Sequence, residues 1–176
     1  GKSTLAAYIF ANLKFLGYNV ELVTEYAKEL AWEGTLDEML KVSPAYTQNK
    51  ILEEQSSRLK RLYGEVDLII SDSPLLLNKF YGEGIKEKSR KNMILKRLHR
   101  EMNKYDNYNV FVERCKPYNP KGRVQTEEEA IASDLKIKSL TSDYLIEVKG
   151  TIQGAEECLR KIRFEIFKEE DQLLNN

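Results

Sequence analysis

Metal-binding and cross-linking side chains are scarce in this chain of 176 residues, which has one histidine, His99, and two cysteines, Cys115 and Cys158. So small a supply cannot build a four-ligand Cys/His zinc centre or a disulfide framework. A reducing cytoplasm is the expected setting. Long apolar runs are missing as well: nothing approaches the roughly 20 consecutive apolar residues of a membrane helix, and no basic-then-apolar leader with a small-residue cleavage site opens the sequence. Membrane spanning and secretion are not expected. Net charge is absent too, since 28 Lys and Arg balance 28 Asp and Glu, so attraction to nucleic acid would have to come from local clusters. Repeats, low-complexity stretches and linkers are lacking, and the length suits one domain over 1–176, with residues 169–176 read as a frayed tail.

What is present alternates between helical and extended patterns. Leu5, Ile9, Leu13 and Leu16 form a helical stripe stopped by Gly17. Residues 19–24 read as a short buried strand ending at Glu25. A long helical region follows, with Thr35 to Glu38 as a capping box and Ser43-Pro44 as an N-cap with proline at the first helical position. The continuous apolar run from Val66 to Ile70, closed by Ser71-Asp72, predicts a strand buried on both faces of a parallel sheet. After a glycine-containing loop at 81–84 and a basic helix, residues 109–113 give a third strand. Thr126 with Glu129 opens another helix to about Leu140. Residues 144–148 give the last strand, and Thr151 caps the final helix. Strands alternating with helices specify an α/β fold with a parallel sheet.

The chemistry concentrates where the chain opens. Gly1-Lys2-Ser3-Thr4 is the end of a phosphate-binding loop, G-x-x-x-x-G-K-[ST], in which backbone amides wrap phosphates, lysine reaches the β and γ groups and the hydroxyl ligates Mg²⁺. By itself the tetrapeptide is weak. Its support is the amphipathic helix it enters, whose positive end would face the phosphates, and the apolar strand ending at Asp72, where a second metal-positioning carboxylate belongs. Read this way, the loop's first glycine and the strand ahead of it are missing from this chain. Asp72 has a plainer reading as a cap for the turn at Ser73-Pro74. Glu25 also follows a strand, at the edge where ligands bind open parallel sheets. There a carboxylate can take the proton of an acceptor hydroxyl; equally, it suits the start of a helix.

Two basic stretches stand out. Residues 114–126 leave the third strand as a loop or lid, punctuated by proline and glycine, and carry Arg114, Lys116, Lys121 and Arg123. Such charge can neutralise a transferring phosphoryl group, with Arg123 the first choice and Arg114 the second; the alternative is a basic surface loop. From Lys86 to Lys104 cations outnumber Glu87 and Glu101. That stretch reads either as a solvated helix face or as a track for a nucleic-acid backbone.

Together these residues resemble small P-loop kinases with an adenylate-kinase type of core, within them the NadR-like ATPase and kinase domains and related bacteriophage-encoded nucleotide kinases. The resemblance covers most of the chain and rests on Gly1-Lys2-Ser3-Thr4, Val23 to Ala27, Ile69 to Pro74, and Arg114 to Ala130. It departs at Ser71-Asp72-Ser73, where NadR-like kinases tend to carry an Asp-Thr-Asp type of sequence. The resemblance implies a three-layer α/β/α domain with sheet order 2-3-1-4-5, ATP and Mg²⁺ as cofactors, Glu25 toward the acceptor and an arginine-bearing lid. The expected activity is phosphate transfer from ATP to a nucleoside, nucleotide or nucleotide-like hydroxyl. The alternatives are a regulatory ATP-binding module and a kinase acting on a modified base or end in DNA.

Overall fold

The computed structural model describes residues 1–115, 127–139 and 145–168. The first helix, α1 (Lys2–Phe15), buries Ala6, Ile9 and Leu13 and ends before Gly17, whose φ of 89° only glycine adopts without strain. Strand β1 (Val20–Val23) follows, then α2 (Tyr26–Trp32), α3 (Leu36–Val42) and α4 (Pro44–Leu62). The Ser43 cap forms as expected, its hydroxyl accepting from the Tyr46 amide, with Pro44 opening α4. Thr35 does occupy the N-cap of α3, but no capping box closes, because its hydroxyl donates back to the Leu30 carbonyl. Trp32, the lone tryptophan, stands 77% exposed at the end of α2 with the Lys28 ammonium 4.8 Å from its ring centre.

Strand β2 (Leu68–Ser71) leads into α5 (Leu77–Tyr81) and a single 3₁₀ turn, Gly82–Gly84. The expected loop at 81–84 is thus the end of one short helix and a tight turn, since Leu77, Gly82 and Ile85 are drawn into buried positions. Then come α6 (Lys88–Met102), β3 (Asn109–Glu113), α7 (Glu127–Ser139), β4 (Leu145–Lys149) and α8 (Ile152–Glu165). Thr151 caps α8 by accepting from the Gly154 amide. The Thr126 cap, the end of its helix at Leu140, and the tail at 169–176 lie outside the described residues.

The strands form two parallel pairs. β1 pairs with β2 in the register Val20↔Leu68 to Val23↔Ser71, and β3 with β4 from Asn109↔Leu145 to Glu113↔Lys149. Among the described residues no strand bridges the pairs. Between them runs a cavity of 370 Å³ lined by Leu68 and Ile70 of β2, Val110 and Val112 of β3, Ile9 of α1 and Ile162 of α8. This corrects the sequence expectation for β2: all four of its residues are only partly buried, because one flank opens on that cavity. One core joins Ile9, Leu13, Val20, Val148, Cys158 and Ile162; a second joins Ala45, Leu52, Leu75, Ile85, Ile94 and Leu98 between α4 and α6. Leu13 and Leu52 are fully buried, so truncating either to alanine is expected to cost roughly 2–5 kcal/mol. No helix among the described residues is long and apolar enough to cross a membrane.

Candidate active site

Gly1, at the N-cap of α1, offers no side-chain cap, and the helix's first turn holds no acidic residue. The amides of that turn have no acceptor within the helix, so their partial positive charge stays available for an anion. Gly1 itself packs closely, since a Cβ built there would stand 3.0 Å from Cγ1 of Val112. The fold therefore brings the opening of α1 beside β3.

Across from it, the Ser3 hydroxyl donates to Oδ2 of Asp72 at 2.5 Å. Two residues 69 positions apart in sequence meet there because β2 delivers Asp72 at its carboxyl end. Asp72 is 7% exposed, and its second oxygen, Oδ1, is buried with no hydrogen-bond partner among the described residues. The turn that follows is served by another side chain, Oγ of Ser71 accepting from the Ser73 amide at 3.2 Å. An unpartnered buried carboxylate oxygen beside a hydroxyl is a donor set that suits a hard divalent cation. No group of three or more His, Cys, Asp or Glu gathers among the described residues. Mg²⁺ in general is held by one or two protein oxygens, with phosphates and water completing its shell.

Glu25 occupies the N-cap position of α2, yet its carboxylate makes no capping bond. Burial raises its pKa above the usual 4.5; the charges of Lys2 and Lys28 oppose that rise, while Asp72 adds to it. Lys2, Asp72 and Glu25 thus feel one another at the same sheet edge. Tyr81 joins them, its phenol pKa raised by its surroundings and then by Glu25. Sequence patterns gave no sign of Tyr81, because a tyrosine beside two glycines reads as loop.

Gly1, Lys2, Asp72, Tyr81, Arg114 and Asp134 all border the cavity between the strand pairs. Arg114, just past β3, points its guanidinium at Asp134 of α7, Nη2 lying 3.0 Å from Oδ1 while Nε pairs with Oδ2. Lys136 on α7 pairs with Glu83 and lies 5.8 Å from the centre of the Phe80 ring, and Lys138 donates to Glu147 at 2.6 Å. Ionic contacts thus tie α7 to β3, β4 and the turn after α5. Arg123 and the rest of the expected lid beyond Cys115 lie outside the described residues. With no histidine near it in the sequence, Cys115 is expected to pack rather than act as a nucleophile; it is instead exposed, whereas Cys158 is buried and its thiol pKa is pushed up to about 11 by that burial.

The cations of the basic stretch sit on α6 and around it, and many are engaged in ion pairs: Arg90 with Glu87, Arg97 with Glu53, Arg100 and Lys104 with Glu101. His99 is exposed. Glu101, nearly buried, has its pKa lowered chiefly by its bond from Lys104.

Residues 1–155 match the family model described as AAA domain. No curated protein and no solved structure matches the chain. The match begins at the glycine that opens α1 and takes in Glu25, Asp72 and Arg114, and on it the chain belongs to the AAA domain family, with the α/β fold of P-loop NTPases.

Proposed function

We propose that the domain is an ATP-dependent phosphotransferase whose acceptor is a hydroxyl of a nucleoside, nucleotide or nucleotide-like molecule. The observation that carries this reading is Glu25, a partly buried carboxylate with a raised pKa, set without a cap bond beside Lys2 and Asp72. A carboxylate so placed can take the proton of an attacking hydroxyl as phosphate is transferred to it.

In this reading the first-turn amides of α1 and the Lys2 ammonium hold the β and γ phosphates of ATP. Ser3 and Asp72 are the residues that would hold Mg²⁺, which when bound supplies charge neutralisation on the phosphate oxygens. Glu25 accepts the proton of the acceptor hydroxyl as that oxygen bonds to the γ phosphorus and the bond to the β,γ-bridging oxygen breaks, leaving ADP. Arg114 and Arg123 offset charge on the group in transit. For Arg114 that requires exchanging Asp134 for phosphate.

The cavity between β2 and β3 supports the finer fold expectation. A strand leading into Gly1 would fill it between β2 and β3 and complete the amide cradle; counted as the first strand, it would give five strands in the order 2-3-1-4-5 within a three-layer domain. The exposed cations of α6 are left as a track for a DNA-borne acceptor.

The test is labelled phosphate uptake from γ-labelled ATP and Mg²⁺ across nucleosides, nucleotides and DNA oligonucleotides, by a polypeptide in which an extended apolar segment and a glycine-rich turn precede Gly1. Transfer to one acceptor class, lost in Glu25→Gln, is the expected result. Release of label to water alone, equal in wild type and Glu25→Gln, would instead establish a regulatory ATPase.

A further inference from the structure

Helix α4 places one amide side chain beneath the turn that carries Glu25. Gln55 is 1% exposed; its Nε2 donates to the Thr24 carbonyl at 3.3 Å and its Oε1 accepts from the Tyr26 amide at 3.2 Å. The Thr24 carbonyl belongs to the peptide unit before Glu25 and the Tyr26 amide to the one after it. A primary amide offers a donor and an acceptor side by side, so one side chain can grip both units. Only this orientation of the amide satisfies both partners.

The next turn of α4 secures the same helix farther along. Arg58 donates to both carboxylate oxygens of Glu29 at 2.5 Å, and its guanidinium lies 5.1 Å from the ring centre of Tyr26. Glu29 in turn accepts from the Thr24 hydroxyl at 3.3 Å. Thr24, Tyr26 and Glu29 are therefore fastened to α4 or to one another around Glu25, whose own carboxylate makes no bond to its helix. The direction of its Cα–Cβ bond is set by the two peptide planes that Gln55 holds.

We infer that Gln55 is the positioning residue for Glu25, fixing the peptide units on either side so that the carboxylate faces Lys2 and Asp72 rather than turning back to cap α2. The inference rests on the phosphotransferase reading for its consequence in turnover, though not for the grip itself. A purely structural glutamine would lower stability without acting through Glu25.

Gln55→Met keeps the length and removes both hydrogen bonds, and Leu52→Ala, on the same helix and fully buried, serves as a destabilised control. Gln55→Asn, one methylene short of both partners, is the fallback if the methionine variant fails to fold. The first measurement is hydrogen exchange at the Tyr26 amide, which needs no substrate. The second is phosphate transfer from ATP to a mixture of the four deoxynucleosides and their 5′-monophosphates, in the Glu25 and Glu25→Gln backgrounds of a polypeptide that carries an extended apolar segment and a glycine-rich turn ahead of Gly1. Expected are Tyr26 exchange at least about tenfold faster than in Leu52→Ala, and a fall in kcat on the order of 10² with KM for ATP unchanged, as for a misplaced reacting group. That fall should vanish when Glu25 is already Gln, the non-additivity of two residues acting as one unit. Unchanged Tyr26 exchange, or the same fall in both backgrounds, overturns the inference. If Glu25→Gln alone spares transfer, or no probe is phosphorylated, the phosphotransferase reading fails instead, and Tyr26 exchange still decides whether Gln55 holds the turn.

Discussion

In the proposed reaction Asp72 and Lys2 act on charges that exist only when nucleotide is bound, so replacing them should separate turnover from folding. Lys2→Ala removes an exposed ammonium, and Asp72→Asn keeps shape while discarding the charge on a buried oxygen that has no described partner. Both are expected to lower turnover by far more than they lower the melting temperature; near wild-type turnover of Asp72→Asn at limiting Mg²⁺ would assign the metal elsewhere. Glu25 makes a sharper case, because function and stability should move in opposite directions. Its folded pKa stands above 4.5, so the native state binds its proton more tightly than the unfolded state does. The associated stability is fully present below about 4.5 and is lost as pH rises through the folded value. Glu25→Gln should therefore melt at a higher temperature than wild type near pH 7, with the gap closing below about pH 4.5, while transfer falls on the order of 10² to 10⁴. A melting temperature lower than wild type at pH 7 would count against the buried charge. Arg123→Lys, which keeps charge but loses the planar fork, should slow transfer and spare the fold.

Among the elements, the turn after β4 and the first turn of α8 leave no room for a side chain at Gly150 and Gly154. A Cβ on Gly154 would stand 2.0 Å from the Lys149 carbonyl oxygen, and one on Gly150 would stand 2.8 Å from the Glu113 carbonyl oxygen. Gly154→Ala should thus destabilise the protein by about 1–3 kcal/mol, as overpacking does, and denaturant midpoints matching wild type would show that the backbone yields there. This scale also shows how far the sequence was legible. Strands β1 to β4 could be located because apolar runs ending at Glu25, Asp72, Glu113 and Lys149 are local signals, and the Ser43 and Thr151 caps because their partners lie three residues away. The contact of Ser3 with Asp72 was readable only through a motif, since nothing in spacing links positions 69 apart. Gln55 left no trace at all: an amide on a helix reads as a surface residue until the turn it grips is folded against it. The helix Leu77–Tyr81 was hidden by the glycine-containing stretch directly after it, where Gly82 is buried and Ile85 packs into the core between α4 and α6 rather than following local propensity.

For the whole molecule, the division of the strands into two pairs governs what should be measured next. Edges of β2 and β3 face a 370 Å³ cavity lined mainly by apolar side chains, and unpaired strand edges are where extended chain adds. A polypeptide bearing an extended apolar segment and a glycine-rich turn ahead of Gly1 is expected to bind Mg-ATP more tightly and to melt higher than residues 1–176 alone, because roughly half of the amide cradle belongs to that turn. Equal ATP affinity of the two would show that Gly1 is not the second glycine of a phosphate-binding loop. Through Trp32 the molecule also carries its own optical reporter. The indole ends the seven-residue helix whose other end is Glu25, and it is the only one in the chain. Emission excited at the red edge of the protein band thus comes from one identified place, 77% open to water and beside the Lys28 ammonium. Any molecule that settles against Glu25 and tilts α2 writes its arrival into the colour of that light, with no label attached.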